Sequence, residues 1–241
     1  MTHAPRVAFS GGSRVAFFGG SFDPPHSGHI AIARAAQTAL ALDRVLFAPV
    51  GAQPLKPEGS AASFNDRVAM TRLAIAGEPG FELSLLDAPT AKPDHTPNYT
   101  IDTLNTLRAS LPPGSALFCI LGADSFLGLR RWHRGAEIPF AATLVIASRP
   151  GESLDNLAAL LPAGLTLVSL PEPALTPSGI DLRRAELRNP AGANAGLYLL
   201  PGLHIDLSAT AIRSQLRSGQ PAGIDPAVLD YIATHHLYRS L

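Results

Sequence analysis

The sequence predicts an α/β fold, a Rossmann-like doubly wound parallel sheet in a single domain. Near-continuous apolar runs recur at residues 14–18, 45–50, 116–121 and 143–147, as expected of strands buried on both faces. Stretches with helical spacing separate these runs. The first run, the Ala-rich stretch 28–42 and the second run fit within about 35 residues, the size of a βαβ unit, whose right-handed crossover implies a parallel sheet.

Each element has its own signal. The first strand, 14–18, ends at Gly19-Gly20, which reads as a tight turn. Residues 64–76 form a helix with Ser63 as candidate N-cap, and 81–86 a strand. Residues 100–110 are a helix, broken by Pro112-Pro113-Gly114. Residues 165–170 add a less apolar strand. Residues 208–217 and 226–234 are closing helices, the second with Pro226 in its first turn. Residues 171–201 are rich in Pro, Gly and Ala and read as a loop or insertion. Residues 1–13 read as a flexible extension and 14–241 as the domain.

Composition narrows the class. At 241 residues and 46% hydrophobic, the chain can bury one ordinary core. A formal net charge of +0 offers no broad basic field, so neither nucleic acid nor a membrane is the expected partner. No segment reaches the roughly 20 apolar residues a bilayer span requires, and the N-terminus has no apolar signal region, so the expected location is cytoplasmic. The one cysteine, Cys119, excludes an internal disulfide and lies in the apolar run Leu117-Phe118-Cys119-Ile120-Leu121, where it reads as core.

The most informative stretch is Gly19-Gly20-Ser21-Phe22-Asp23-Pro24-Pro25-His26-Ser27-Gly28-His29-Ile30. It falls at a strand's carboxyl end before a helix, where doubly wound sheets bind ligands. The amides and dipole of a helix beginning at Ser27 or Gly28 favour an anion. His26 and His29 flank that start and can donate ring N–H bonds to phosphate oxygens. Other readings are a simple turn, a helix cap, or a zinc pair. Zinc on one helix face prefers i, i+4 spacing and further ligands, so no metal site is expected from protein side chains. Neither Gly-x-Gly-x-x-Gly nor a Gly-Lys-Ser/Thr loop occurs here. Near the C-terminus, Ser208-Ala209-Thr210-Ala211-Ile212-Arg213 places a capping hydroxyl at a second helix start, with a guanidinium in its first turns. A capped surface helix with a solvated arginine is the plain alternative.

These residues resemble a known family. His26-Ser27-Gly28-His29 is similar to the (T/H)xGH signature of the nucleotidyltransferase α/β-phosphodiesterase superfamily. With Gly19-Gly20-x-Phe22-Asp23-Pro24 before it, the match resembles the bacterial nicotinate-nucleotide adenylyltransferases. Residues 208–213 resemble that family's Ser-x-Thr-x-Ile-Arg signature. Further resemblances run in order: Pro54-Leu55-Lys56-Pro57, Arg67-Val68-Ala69-Met70, Asn98-Tyr99-Thr100-Ile101-Asp102-Thr103-Leu104, Gly122-Ala123-Asp124, Trp132, and the terminal Tyr231-Ile232…Leu237-Tyr238. Together they cover residues 14–240. There are departures: Leu55 stands where the family has His, Asn98 replaces Ser, Ala211 replaces a common Asp, and 174–202 is longer than usual.

The resemblance implies adenylyl transfer from ATP to nicotinic acid mononucleotide, forming nicotinic acid adenine dinucleotide and pyrophosphate in NAD biosynthesis. It assigns His26, His29 and Arg213 to catalysis. Gly19, Gly20, Ser21, Phe22, Lys56, Gly122, Asp124, Ser208 and Thr210 join those three in binding ATP. Tyr99, Thr100 and Trp132 take the mononucleotide. Mg²⁺ accompanies ATP, held by phosphate oxygens and water. Asp124 as a helix-cap residue and Trp132 as a half-buried core aromatic are the structural alternatives. The functional rivals are a sister enzyme with another acceptor, such as nicotinamide mononucleotide or phosphopantetheine, and a nucleotide sensor that has lost catalysis. Oligomeric state has no signal in the chain.

Overall fold

The computed structural model describes residues 12–52, 55, 59–89, 97–147, 157–169, 174–175, 179–200, 207–219 and 222–238. The first half of the chain alternates strand and helix: β1 (Arg14–Gly20), α1 (Ser27–Leu40), β2 (Arg44–Pro49), α2 (Phe64–Ala74), β3 (Phe81–Leu83), α3 (Thr100–Ser110), β4 (Ala116–Gly122) and α4 (Ala123–Gly128). Two 3-10 turns, Leu129–Arg131 and Gly135–Glu137, lead into α5 (Ile138–Ala141) and β5 (Thr143–Ala147). There follow α6 (Leu157–Leu160), β6 (Thr166–Ser169), β7 (Ala174–Leu175), β8 (Asp181–Arg188), β9 (Asn194–Leu200), α7 (Ala209–Ser218) and α8 (Pro226–Thr234).

The strand order is β3-β2-β1-β4-β5-β9-β8-β6, with β7 paired beside β8. Strands β1 to β5 and β9 are mutually parallel, while β8 and β6 pair antiparallel. The winding reverses between β1 and β4, and α/β sheets bind ligands beyond the strand ends at such a switch point. Alternation along the central strands feeds two cores. Val15, Phe17, Leu117, Cys119, Leu121, Leu144 and Ile146 face one side; Ala16, Phe18, Phe118, Ile120 and Val145 face the other. A third cluster, around Met70, Val228 and Ile232, packs α8 against α2. Burial pushes the Cys119 thiol up to about 12, so it stays an inert protonated core group.

The structure corrects three expectations. Residues 171–201 are not simply a loop: β8 and β9 form a hairpin, and β9 extends the parallel sheet beside β5. The Pro/Gly composition belongs partly to the turn, where Gly192 takes φ 83°, and its flanks alternate, with Ala185, Leu187, Leu197 and Leu199 buried. The strand at 81–86 stops at Leu83, and Leu85 and Leu86 turn outward into solvent. Gly19 and Gly20 are not the turn but the end of β1. A Cβ on Gly19 would lie 2.7 Å from the Phe17 ring, and one on Gly20 3.2 Å from the Phe22 ring. The chain turns instead at Phe22, with φ 48°. Residues 1–11 of the expected extension lie outside the described residues.

Candidate active site

A cavity of about 640 Å³ opens at the switch point. That volume suits a nucleotide-sized ligand. Its walls come from strand ends and the segments after them: Gly19 and Gly20 at the end of β1 with Ser21 and Phe22 beyond, Gly122 at the end of β4 with Ala123 to Ser125 beyond, and Ala147 at the end of β5. His26, Gly28 and His29 line it from α1, and Leu207 and Ala209 from the start of α7. Tyr99, Thr100, Arg131, Trp132 and His133 form the far wall.

His26 is the residue before α1 and is buried; His29 is one turn in and half-buried. Their rings lie 3.8 Å apart between centroids, tilted by 34°. The His26 amide donates to His29 Nδ1 at 3.2 Å. An accepting Nδ1 puts the neutral ring's hydrogen on Nε2, making that nitrogen the donor. The ring edge packs on Phe22, with centroids 4.9 Å apart, so the imidazole is held by contacts on two sides. The helix start is less open to an anion than the motif suggested. The Ser27 amide donates to Gly223 O at 2.7 Å and the His29 amide to His26 O at 2.9 Å. Gly28, between them, lines the cavity.

Ser208 caps α7, accepting from the Ala211 amide at 3.1 Å. Arg213 is half-buried beside the loop after β1. It donates to Asp23 O at 2.8 Å and to Thr210 Oγ1 at 3.2 Å. Ser208, Thr210 and Arg213 are not among the residues lining the cavity; at the start of α7 its surface is formed by Leu207 and Ala209. Lys56 lies outside the described residues, and its neighbour Leu55 is exposed on the cavity rim. Asp124 sits exposed in the first turn of α4, on the cavity wall. Trp132 is half-buried: it packs against the core and also lines the cavity. Among the described residues no group of three or more His, Cys, Asp or Glu could hold a metal.

A family description, Cytidylyltransferase-like, matches residues 17–215. A Laribacter hongkongensis protein called "Probable nicotinate-nucleotide adenylyltransferase" is 40% identical over 244 residues, covering 100% of this chain and 98% of its own. A Solibacter usitatus protein of the same name is 37% identical, covering 94% of this chain and 100% of its own. The chain belongs to the nicotinate-nucleotide adenylyltransferase family. A solved Plasmodium falciparum nicotinic acid mononucleotide adenylyltransferase complexed with NaAD superposes with a TM-score of 0.65 at 17% identity, covering 94% of this chain and 97% of that one. That likeness is one of fold.

Within this adenylyltransferase fold, several residues emerge that sequence reasoning left without a role. His133 stacks on Tyr99 with centroids 4.2 Å apart, extending the aromatic wall begun by Trp132. Asn98 lines the cavity and clips two segments together: its Oδ1 accepts from Ala52 N at 3.2 Å and its Nδ2 donates to Ala88 O at 3.0 Å. Asp23 and Arg67 are both buried and brace the loop after β1. Asp87 is a buried carboxyl on the cavity wall that accepts from the Thr103 hydroxyl.

Burial raises the Asp87 pKa above the ordinary carboxylate range, opposed in part by the Thr103 hydrogen bond. A raised acid pKa means the folded chain holds this proton more tightly than the unfolded one. Its contribution is most favourable below the unfolded value near 3.9 and is lost as pH rises through the folded value. Asp87→Asn keeps an acceptor for Thr103 and removes the titration. Urea unfolding should show the variant gaining on the parent between pH 4 and pH 8. A constant difference across that range would contradict this.

Proposed function

We propose that this chain transfers the AMP moiety of ATP to nicotinic acid mononucleotide, giving nicotinic acid adenine dinucleotide and pyrophosphate. One observation carries the reading: a single cavity at the switch point has the closely packed His26–His29 pair on one wall and the Trp132–Tyr99–His133 aromatics on the other. A polyphosphate suits the first wall and an aromatic base the second.

The mononucleotide phosphate attacks the α-phosphorus of ATP. A new P–O bond forms there, and the bond to the β-phosphate bridge breaks, releasing pyrophosphate. The attacking phosphate has a second pKa of about 6 and is largely dianionic at neutral pH, so no general base is required. The protein's work is then positioning and charge stabilisation. His26 and His29 donate to phosphate oxygens as charge develops on them. Arg213 and Lys56 hold the departing phosphates, with Ser208 and Thr210 shaping that end. Gly19, Gly20, Ser21, Phe22 and Gly122 give the nucleotide a close backbone approach, and Asp124 takes a ribose hydroxyl. Tyr99, Thr100 and Trp132 receive the mononucleotide. Mg²⁺ would supply charge neutralisation on the phosphates, held by phosphate oxygens and water. Residues 14–241 form the catalytic unit in this reading, and the site of action is the cytoplasm. No helix among the described residues is long and apolar enough to cross a membrane.

The test is pyrophosphate release and dinucleotide formation from ATP, Mg²⁺ and each pyridine mononucleotide in turn. Equimolar products with nicotinic acid mononucleotide are expected. Release with nicotinamide mononucleotide alone would reassign the acceptor, and release with neither would leave a sensor. Trp132→Ala is expected to raise KM for the mononucleotide about 10-fold, since one stacking face is lost. KM for ATP should stay within a factor of about two; equal rises for both substrates would remove Trp132 from the acceptor wall.

A further inference from the structure

The C-terminal segment reaches the loop that carries the histidines. Gly223 O receives the first amide of α1, from Ser27, at 2.7 Å. Fifteen residues on, the Tyr238 hydroxyl donates to Asp23 Oδ1 at 2.7 Å. Asp23 is a hub. Its Oδ2 accepts from Ala61 N at 2.6 Å, its Oδ1 also accepts from Ala62 N at 3.1 Å, and its carbonyl receives Arg213 at 2.8 Å. His26 lies three residues further along. One residue thus joins the loop before α2, the end of the chain, the α7 guanidinium and the approach to α1.

The backbone shows that these contacts are enforced. Tyr238 has φ 61° and Phe22, next to Asp23, has φ 48°. Bulky residues held in the left-handed region cost on the order of 1–3 kcal/mol each and persist where the surroundings over-determine them. Burial, with the bond to Asp23, pushes the Tyr238 phenol above its usual value, so the hydroxyl stays a donor at any working pH.

We propose that Tyr238 is a positioning residue for adenylyl transfer: by fixing Asp23, its hydroxyl sets where Arg213 stands relative to His26 and His29. Tyr238 does not line the cavity, so it acts through Asp23 and not on the reacting groups. The inference rests on the adenylyl-transfer reading above.

Tyr238→Phe removes the hydroxyl and keeps the ring packed against the α2–α8 cluster. Turnover should fall about 10- to 100-fold, the effect of a displacement of about 1 Å in a positioned group. KM for nicotinic acid mononucleotide should not move, because Trp132 and Tyr99 stand on other elements. Tyr231 supplies the control. Its hydroxyl donates to Asp66 Oδ1 at 3.0 Å and fastens α8, the helix just before Tyr238, to α2 without touching the loop. Tyr231→Phe should leave turnover unchanged. A mutant cycle gives the readout that loose packing would not move. If Tyr238 acts through the Arg213 anchor, Tyr238→Phe adds no further loss in an Arg213→Ala background. All rates are read well below each variant's unfolding transition. Multiplicative losses, an unaffected Tyr238→Phe, or an equal loss in Tyr231→Phe would each overturn the inference while an active parent keeps the functional reading. A parent inactive with every pyridine mononucleotide would overturn both.

Discussion

Replacing His29 by alanine is expected to lower kcat by about 10²- to 10³-fold, the usual cost of removing one preorganised donor from a site where charge develops. The geometry makes this residue the sharper of the two histidines to test. Its Nδ1 is committed to the His26 amide, so the ring's remaining donor is Nε2. Its ring meets Phe22 edge-on and packs, tilted, against His26, so it loses little freedom when a phosphate arrives. The same commitment gives His29 a structural share. Losing the acceptor for His26 N should cost about 1 kcal/mol, in the range of a lost helix cap. For a chain of this size that is a fall of roughly 2–4 °C in Tm. His29→Asn separates the two roles, since its amide oxygen can still accept from His26 N while the imidazole is gone. Both variants should lose turnover alike, and the Asn variant should recover most of the Tm. Near-parental turnover in either would take His29 out of the chemistry.

What could be read from the chain beforehand followed the range of the interactions. The central strands were legible because both faces are buried, which leaves apolar runs with no polar interruption, as in Phe118-Cys119-Ile120-Leu121. The histidine pair was legible because its geometry is local: a strand end, a turn and one helical turn place His26 and His29 together. The β8–β9 hairpin was obscured because only one side of β8 is strongly apolar, and Arg184, Glu186 and Arg188 mask the buried Ala185 and Leu187. The brace around the site was least legible. Tyr238 meets Asp23 across 215 residues and Arg213 meets it across 190, and nothing in the neighbouring sequence specifies either partner. The Ser27 amide, expected to be free at the start of α1, is occupied for the same reason: its acceptor, Gly223, comes from far along the chain.

Arg67 shows how much rests on such distant contacts. Only 2% exposed, it donates from one terminal nitrogen to Ser21 O at 2.7 Å and from the other to Val50 O at 2.8 Å. The fork ties the loop after β1 to the end of β2, with its Cζ 5.6 Å from the centre of the Phe64 ring. Burial lowers the Arg67 pKa from its usual value, with Asp23 acting in the opposite direction; even so, a guanidinium stays charged. Arg67→Met keeps much of the volume and leaves both carbonyls without their donor. Two hydrogen bonds from a charged group are worth about 3 kcal/mol together at the low end of their range. A fall in Tm of roughly 10 °C should follow. Turnover should drop as well, because Ser21 and Phe22 border the cavity and are no longer held. Arg67→Lys tests whether charge or geometry matters. A single ammonium cannot reproduce the planar fork across two carbonyls, so it should recover only part of the stability. Full recovery by lysine would assign the brace to charge alone, and a Met variant within about 1 kcal/mol of the parent would mean that these two bonds do not hold the loop.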